Sequence, residues 1–491
     1  MRRMSRERVQ DIVIVGGGAA AWLAAATLSR ALKPSFCRVR VLDSPQRAKP
    51  LSEVALPSFH RLNNLLGINE DDLLQRTGGT FRLGEQFNDW GRIGDQYFHG
   101  FGPLGVKLDA VPFHHYWLKL RESGESAPLE QYCAAAMAAK LDRFAHPSQD
   151  RQSFLSFYSY GYHFDAALLE SYLRKYALAH GALRIEGNAV EVQLSEDGFV
   201  GALLLEGGGP VGADLYIDTG GIGSLIHSRV FKGAHEDWSR WLPCDRAVTV
   251  AQPRAGEQIP PYAESSARAA GWQWRIPLQD QIDHGYAYSS AHSSDEEAAD
   301  TLLSGLSGSR LTEPRFIRWP QGRPKKFWDK NCLLLPGVFD PLEATGLHLA
   351  QTSVTRLLTL FPVQRFSPLD MEEYNRLAIQ ESERIRDFRI AHFKATQRDD
   401  SPFWLQRGRM PIPETLESKI DLFARCARLA MFDEEHFGED SWISLFLGQN
   451  VLPQDYDPLA DVLDLEETRT ALRRMRTLIQ DAVNTLPAHA Q

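Results

Sequence analysis

Asp11-Ile-Val-Ile-Val15 runs straight into Gly16-Gly-Gly18, and a stretch rich in alanine and leucine, Trp22 to Leu32, follows without Gly or Pro. A short, β-branched, uninterrupted apolar run is the pattern of a strand buried on both faces of a parallel sheet. The glycines then supply a turn, and the alanine-rich stretch a helix. A second apolar run, Arg38-Val-Arg-Val-Leu42, ends at Asp43, completing a unit of βαβ length. In such a unit Gly16 allows the tight turn, and Gly18 lets the backbone approach a pyrophosphate. Gly17 and Ala20 are further candidate cofactor-binding residues of the turn, and the small Ala21 lets helix pack on strand. The pyrophosphate meets the free N–H groups of the helix's first turn. Asp43 stands where an acid hydrogen-bonds an adenosine ribose.

This unit alone does not separate FAD from NAD. Two later segments favour FAD. Ala213-Asp-Leu-Tyr-Ile-Asp218 reads as a strand entering Thr219-Gly-Gly221, and Asn331-Cys-Leu-Leu-Leu335 as another, entering Pro336-Gly337 and a helix through about Leu360. Three dispersed strand-to-glycine turns suit a cofactor laid across a sheet and enclosed by inserted segments. We therefore expect an α/β fold: an FAD-binding, Rossmann-like module of the FAD-monooxygenase type, with inserted substrate-binding segments and a helical C-terminal part. The expected division is residues 1–360 for the module with its interleaved segments, and 361–491 for the helical subdomain. Helices are predicted there over Met371 to Phe393 and Thr415 to Met431.

The bulk properties agree with small-molecule chemistry. The 491 residues carry a formal net charge of −9 with no basic block, so no electrostatic footprint for nucleic acid or an anionic membrane is present. The N-terminal apolar run is too short for a signal-peptide core, and no stretch of roughly 18 apolar residues exists to span a membrane. A cytoplasmic location is expected. The five cysteines are scattered without a CxxC pair, so neither a zinc site nor a disulfide framework follows.

Gly271-Trp-Gln-Trp-Arg-Ile-Pro-Leu278 contains the pattern WxWxIP, which resembles the signature of flavin-dependent halogenases, the tryptophan halogenases among them. Further segments share the resemblance: Gly16-Gly-Gly-Ala-Ala-Ala-Trp22, Tyr162-His-Phe-Asp-Ala166, Gly285-Tyr-Ala-Tyr-Ser-Ser290, Asp340-Pro-Leu-Glu-Ala-Thr-Gly346, Arg386-Asp-Phe-Arg-Ile-Ala-His392 and Arg398-Asp-Asp-Ser-Pro-Phe-Trp404. The resemblance implies FAD supplied as FADH2 by a separate NAD(P)H-dependent flavin reductase, with oxygen and a chloride or bromide ion. It also implies a hypohalous acid that travels through a tunnel to a small aromatic substrate, and it leaves a homodimer open.

Carried over residue by residue, the family's glutamate falls on Glu343, which assists loss of the ring proton. The halide-binding backbone N–H groups fall on Thr345 and Gly346. A run of amides at a loop-to-helix junction is a sensible anion site on physical grounds as well. Ala344 replaces the family's serine. Phe81-Arg-Leu-Gly-Glu-Gln-Phe-Asn-Asp-Trp90 matches the family's FKxxIxFxxW and puts Arg82 at the place of the catalytic lysine. An arginine stays protonated and forms no haloamine, but it holds and polarises hypohalous acid as a charged donor. A bland alternative makes Arg82 a partner of Glu343 or Glu85; another has Lys107 or a different lysine entering the pocket. Glu53, in Ser52-Glu-Val-Ala55, keeps the acid of the family's GEAT near the flavin. Ser44, Ala189 and Leu347 match cofactor contacts. His99 and Phe101 match a histidine and a stacking aromatic beside the substrate.

In an extended segment Trp272 and Trp274 point to one face, as an apolar wall or as two core aromatics. The segment from Cys332 to Phe339 is shorter than in tryptophan halogenases. Trp442, in Ser441-Trp-Ile-Ser-Leu-Phe-Leu-Gly-Gln-Asn-Val-Leu-Pro453, belongs to a C-terminal part resembling members without the lid that clamps free tryptophan. An indole, a phenol or an aromatic side chain on something larger is the expected substrate. The replacement at Arg82 leaves three outcomes for activity: a halogenase, a non-halogenating FAD monooxygenase or oxidase, or an inactive flavin-binding homologue.

Overall fold

A computed structural model describes residues 8–44, 52–125, 127–256, 258–336, 340–362 and 366–489. Contacts group the chain into two units, each assembled from three stretches: Met1–Gly79, Phe164–Arg246 and Phe316–Glu383 in one; Thr80–His163, Ala247–Arg315 and Arg384–Gln491 in the other.

The first unit is built on a six-stranded sheet. Its order is Trp328–Asp329, Cys332–Leu334, Leu215–Asp218, Asp11–Val15, Arg38–Asp43 and Leu183–Glu186. All pairs are parallel except the edge pair of Trp328–Asp329 with Cys332–Leu334. Ile12, Val13 and Ile14 are fully buried, as a strand covered on both faces requires. Asp11 fixes one end of this strand by accepting from Arg40 and Arg38. Helix Gly18–Leu32 packs against Ala166–Ala179 and Gly346–Thr359. Its buried Ala21, Ala24, Ala25 and Ala26 let the helices approach closely.

The three strands expected to enter glycine turns are thus adjacent in one sheet, in the order Cys332–Leu334, Leu215–Asp218 and Asp11–Val15. Two expectations shift in extent. The helix after Cys332–Leu334 starts only at Gly346, following a short turn over Leu342–Ala344; Gly337 and Phe339 lie outside the described residues. The helix predicted over Thr415 to Met431 covers Glu414–Cys426, because Ala427 takes φ +56 and ends it.

The second unit carries six neighbouring strands of a seven-stranded sheet, in the order Arg246–Pro253, Gln281–Tyr288, Gly271–Pro277, Ala263–Arg268, Gly84–Asn88 and Gln96–Gly100. Ala263–Arg268 and Gly84–Asn88 pair in parallel, the outcome of joining two distant stretches of chain. A short ladder pairs Thr80–Arg82 with Gly161–Asp165, in the register Thr80↔His163, Phe81↔Tyr162 and Arg82↔Gly161. Helices Pro402–Arg409, Glu414–Cys426, Glu439–Gly448 and Leu465–Asn484 complete the C-terminal part. Among the described residues no helix is long and apolar enough to cross a membrane.

Candidate active site

In the first unit, Gly16 sits at φ +115 and Gly18 at φ +86, with Gly17 capping the helix. A Cβ on Gly16 would lie 2.3 Å from the Thr219 hydroxyl oxygen, which donates to the carbonyl of Val15 at 3.1 Å. The turn is therefore closed to any side chain. No acidic residue occupies the first turn of the helix, so its free N–H groups and dipole face an anion without competition. These observations fit a pyrophosphate. Gly16→Ala combines a clash with a backbone region costly for L-residues by about 1–2 kcal/mol. It is expected to weaken FAD binding by roughly tenfold or more, measured by titration of flavin fluorescence; wild-type affinity would remove the turn from the cofactor site.

The other residues expected at the cofactor have partners of their own in the protein. Asp43 ends its strand almost fully buried and accepts from Arg184 Nε at 2.8 Å, so its carboxylate is already shared. Ser44 donates to the Asn188 side chain, immediately before the strand Ala189–Leu194 begins. Asp218 was legible only as a strand end. It accepts from the Gly220 N–H at 2.8 Å and from Ser224, holding the neighbouring glycine turn, and burial pushes its carboxyl up to about 6. Burial also pushes Glu53 up to about 7. Glu53 belongs to the strand Ser52–Ala55, which packs on the Leu342–Ala344 turn and on the helix Gly346–Thr359.

That turn is the expected halide loop. Asp340 accepts from the Leu342 N–H at 3.0 Å, and the Ala344 N–H donates to the Pro341 carbonyl at 2.9 Å. Glu343 (φ +61) and Ala344 (φ +50) are consecutive left-handed residues without being glycine. Such strain persists where the surroundings over-determine the backbone, and it concentrates at functional sites. Glu343 and Thr345 are fully buried, whereas a Cβ on Gly346 would meet nothing within 4 Å. Leu347 is buried in the first turn of the helix. His348 follows it, with Nδ1 3.0 Å from the Ser58 hydroxyl and Nε2 3.3 Å from Glu381. Glu381 also accepts from Arg356 at 2.8 Å and from Thr352 at 3.0 Å. This network, not visible in the sequence, anchors the helix that the loop enters.

In the second unit Arg82 is fully buried. Its Nη2 donates to Glu85 at 2.5 Å, and Glu85 accepts in addition from Ser265. The guanidinium lies over the Phe101 ring at 4.8 Å. Its Nε and Nη1 have no hydrogen-bond partner among the described residues. Phe101 meets His99 edge-on at 6.3 Å; His99 Nε2 is 2.9 Å from the Ser441 hydroxyl, and its ring is 5.8 Å from Phe388. Phe388 in turn meets Trp442 edge-on at 4.8 Å. Arg82, Phe101, His99 and Trp442 therefore form one connected cluster.

Trp272 and Trp274 do share a face, with ring centroids 5.5 Å apart. Trp272 also packs against Trp90 at 6.2 Å, and Gly285 leaves the room Trp274 needs, since a Cβ there would be 1.9 Å from its ring. Both indoles are buried to nine-tenths or more.

Among the described residues no buried lysine stands in for the arginine. Lys419 is enclosed beside Trp442, but its Nζ donates to Ala430 O at 2.5 Å and Glu435 at 2.6 Å. Lys119 and Lys394 are likewise committed to backbone carbonyls. Lys107 lines a pocket of about 280 Å³ with Leu104, Phe113, Glu439, Asp440 and Ile443, a lining that includes neither Arg82 nor His99. Desolvation there pushes Asp440 up to about 6.

A parallel sheet with a glycine cradle at its strand ends, joined in one chain to an aromatic-lined cluster around a buried arginine, defines an FAD-type oxidoreductase. Comparison with known proteins takes the assignment further. The tryptophan halogenase family model matches residues 11–465. A flavin-dependent halogenase from Brevundimonas sp. BAL3 is 38% identical, with 98% of each chain covered and a TM-score of 0.93. One from Xanthomonas campestris is 35% identical, with 98% of this chain and 97% of that chain covered and a TM-score of 0.94. The tryptophan 7-halogenase of Kutzneria sp. (strain 744) is 29% identical, covering 99% of this chain and 98% of its own length. The chain belongs to the flavin-dependent halogenase family; it is an oxidoreductase whose cofactor is FAD.

Proposed function

We propose that the protein halogenates an electron-rich arene, of indole or phenol type, in the cytoplasm, using chloride or bromide, oxygen and FADH2 delivered by a separate NAD(P)H-dependent reductase. The observation that carries this reading is Arg82: fully buried, at the family's lysine position, with its Nε and Nη1 nitrogens unpartnered among the described residues. Leaving such donors unpaired is costly, and a small oxygen-bearing ligand relieves the cost. A structural arginine paired only with Glu85 does not require them.

Reduced flavin, when bound, supplies two of the four electrons with which dioxygen becomes hypohalous acid and water, the halide supplying the other two. The glycine cradle holds the pyrophosphate, and the Thr345 and Gly346 backbone N–H groups hold the halide. Arg82 holds the oxygen of the hypohalous acid and stabilises charge developing there. As the carbon–halogen bond forms, the halogen–oxygen bond breaks with its electron pair on oxygen; Glu343 takes the ring proton, and water is the by-product. The cluster of Phe101, His99 and Trp442 supplies flat apolar surface for an aromatic ring.

Reductase-made FADH2, oxygen and bromide supplied with a panel of indoles and phenols should give products with a monobromide isotope doublet by mass. Hydroxylated arene without bromide would replace this reading by the monooxygenase one, and peroxide as the sole outcome would leave a flavin-binding homologue.

A further inference from the structure

His163 lies opposite Thr80 in the short ladder, while Arg82, two residues on from Thr80, lies on the same face. Gly161, opposite Arg82, adds no side chain to that face. His163 is fully buried, and its Nδ1 is 3.0 Å from the Thr80 hydroxyl oxygen. That hydroxyl donates its single hydrogen to the carbonyl of Pro277 at 2.8 Å. Its oxygen can then only accept from the imidazole, so the ring hydrogen is on Nδ1 and Nε2 carries a lone pair. Burial first, and the Arg82 charge second, hold His163 well below the ordinary histidine range, so the ring stays neutral. Among the described residues Nε2 has no hydrogen-bond partner, and neither have Nε and Nη1 of Arg82. Two unused donors and one unused acceptor, all fully buried, are complementary in sense.

We propose that Arg82 and His163 together hold one small hydroxylic molecule, its oxygen accepting from Arg82 and its O–H donating to His163 Nε2. On the function proposed above, on which this inference rests, that molecule is hypohalous acid; a water would satisfy the same groups. His163 is then a positioning residue. A neutral imidazole fixes the direction of the O–H bond without removing its proton, and the halogen is thereby aimed away from the pair.

The test reads the partition of oxidised bromide between brominated arene and a β-diketone trap for escaping hypobromite. His163→Asn keeps a donor for Thr80 but places nothing where Nε2 was, whereas His163→Gln reaches that place with an acceptor oxygen. The ratio of arene product to trapped hypobromite should fall about tenfold or more in H163N, the equivalent of one lost hydrogen bond, and recover in H163Q. FAD retention and melting temperature are followed in both. An unchanged ratio in H163N overturns the proposal and leaves the pair a water site. Equal losses in both variants overturn it too, since the imidazole would then serve packing. If the wild-type protein yields neither brominated arene nor trapped hypobromite, the halogenase reading itself falls and this inference with it.

Discussion

Glu343→Gln is expected to lower arene bromination by roughly 10²–10⁴-fold, the usual worth of a positioned acid–base group, with FAD affinity unchanged. The substitution is nearly isosteric, so it keeps the packing of a fully buried side chain on a residue held at φ +61. What it removes is the ability to take a proton. Single-turnover bromination of a reactive indole is the informative measurement, because it isolates ring halogenation from flavin supply. The trapped-hypobromite yield should hold or rise while the arene product falls. If both drop together, Glu343 acts on the halide loop's shape and not on the arene. The left-handed pair Glu343 and Ala344 makes that alternative physically distinct: a residue that merely stabilised the loop would be improved by glycine, which meets no penalty at positive φ. Glu343→Gly is accordingly expected to fail in ring halogenation as Gln does, although its backbone is the better suited of the two.

How much of this was legible beforehand depends on range. The strand, glycine turn and helix at Asp11 to Leu32 are local, each residue's conformation being set by its neighbours, and they appear with small changes of boundary. The shared face of Trp272 and Trp274 follows from the twofold period of a strand. Partners set by tertiary pairing were not legible. Glu85 meets Ser265 across 180 residues because Gly84–Asn88 pairs in parallel with Ala263–Arg268, a ladder no local pattern announces. The sequence offered Asp43 to a ribose, and the fold lays Arg184 against it from 141 residues away. The late start of the helix at Gly346 had a signal in hindsight. Pro341 and the Leu-Glu-Ala-Thr run that follows form a turn, and the helix opens only at Gly346. His163 stood in a recognised motif, but its tautomer depends on Thr80 and Pro277, 83 and 114 residues away from it, and only the three-dimensional chain of donors reveals it.

Arg82→Met should both destabilise the protein and abolish arene bromination. Methionine fills much of the volume, yet it takes away the cation beside the buried Glu85 carboxylate, to which Ser265 also donates. Breaking a buried pair by removing one partner costs about 3–5 kcal/mol, so a clear drop in denaturant midpoint is expected. Arg82→Lys separates the two consequences. The ammonium retains the charge that Glu85 needs, so most of the stability should remain, while the shorter, more compact donor restores the family's side chain at this place. If Arg82 holds hypohalous acid, halogenation should rise in the lysine variant, and the reaction then gains access to amine chemistry that a guanidinium excludes. No change on any arene, with stability intact, would reduce Arg82 to the partner of Glu85. The double variant Arg82→Met/Glu85→Leu carries the distinction further. Removing both charges relieves the burial cost, because an ion pair replaced by apolar groups is often neutral or better for stability. It should therefore recover the denaturant midpoint and still fail to brominate, placing the need for a cation here in the chemistry and not in the fold.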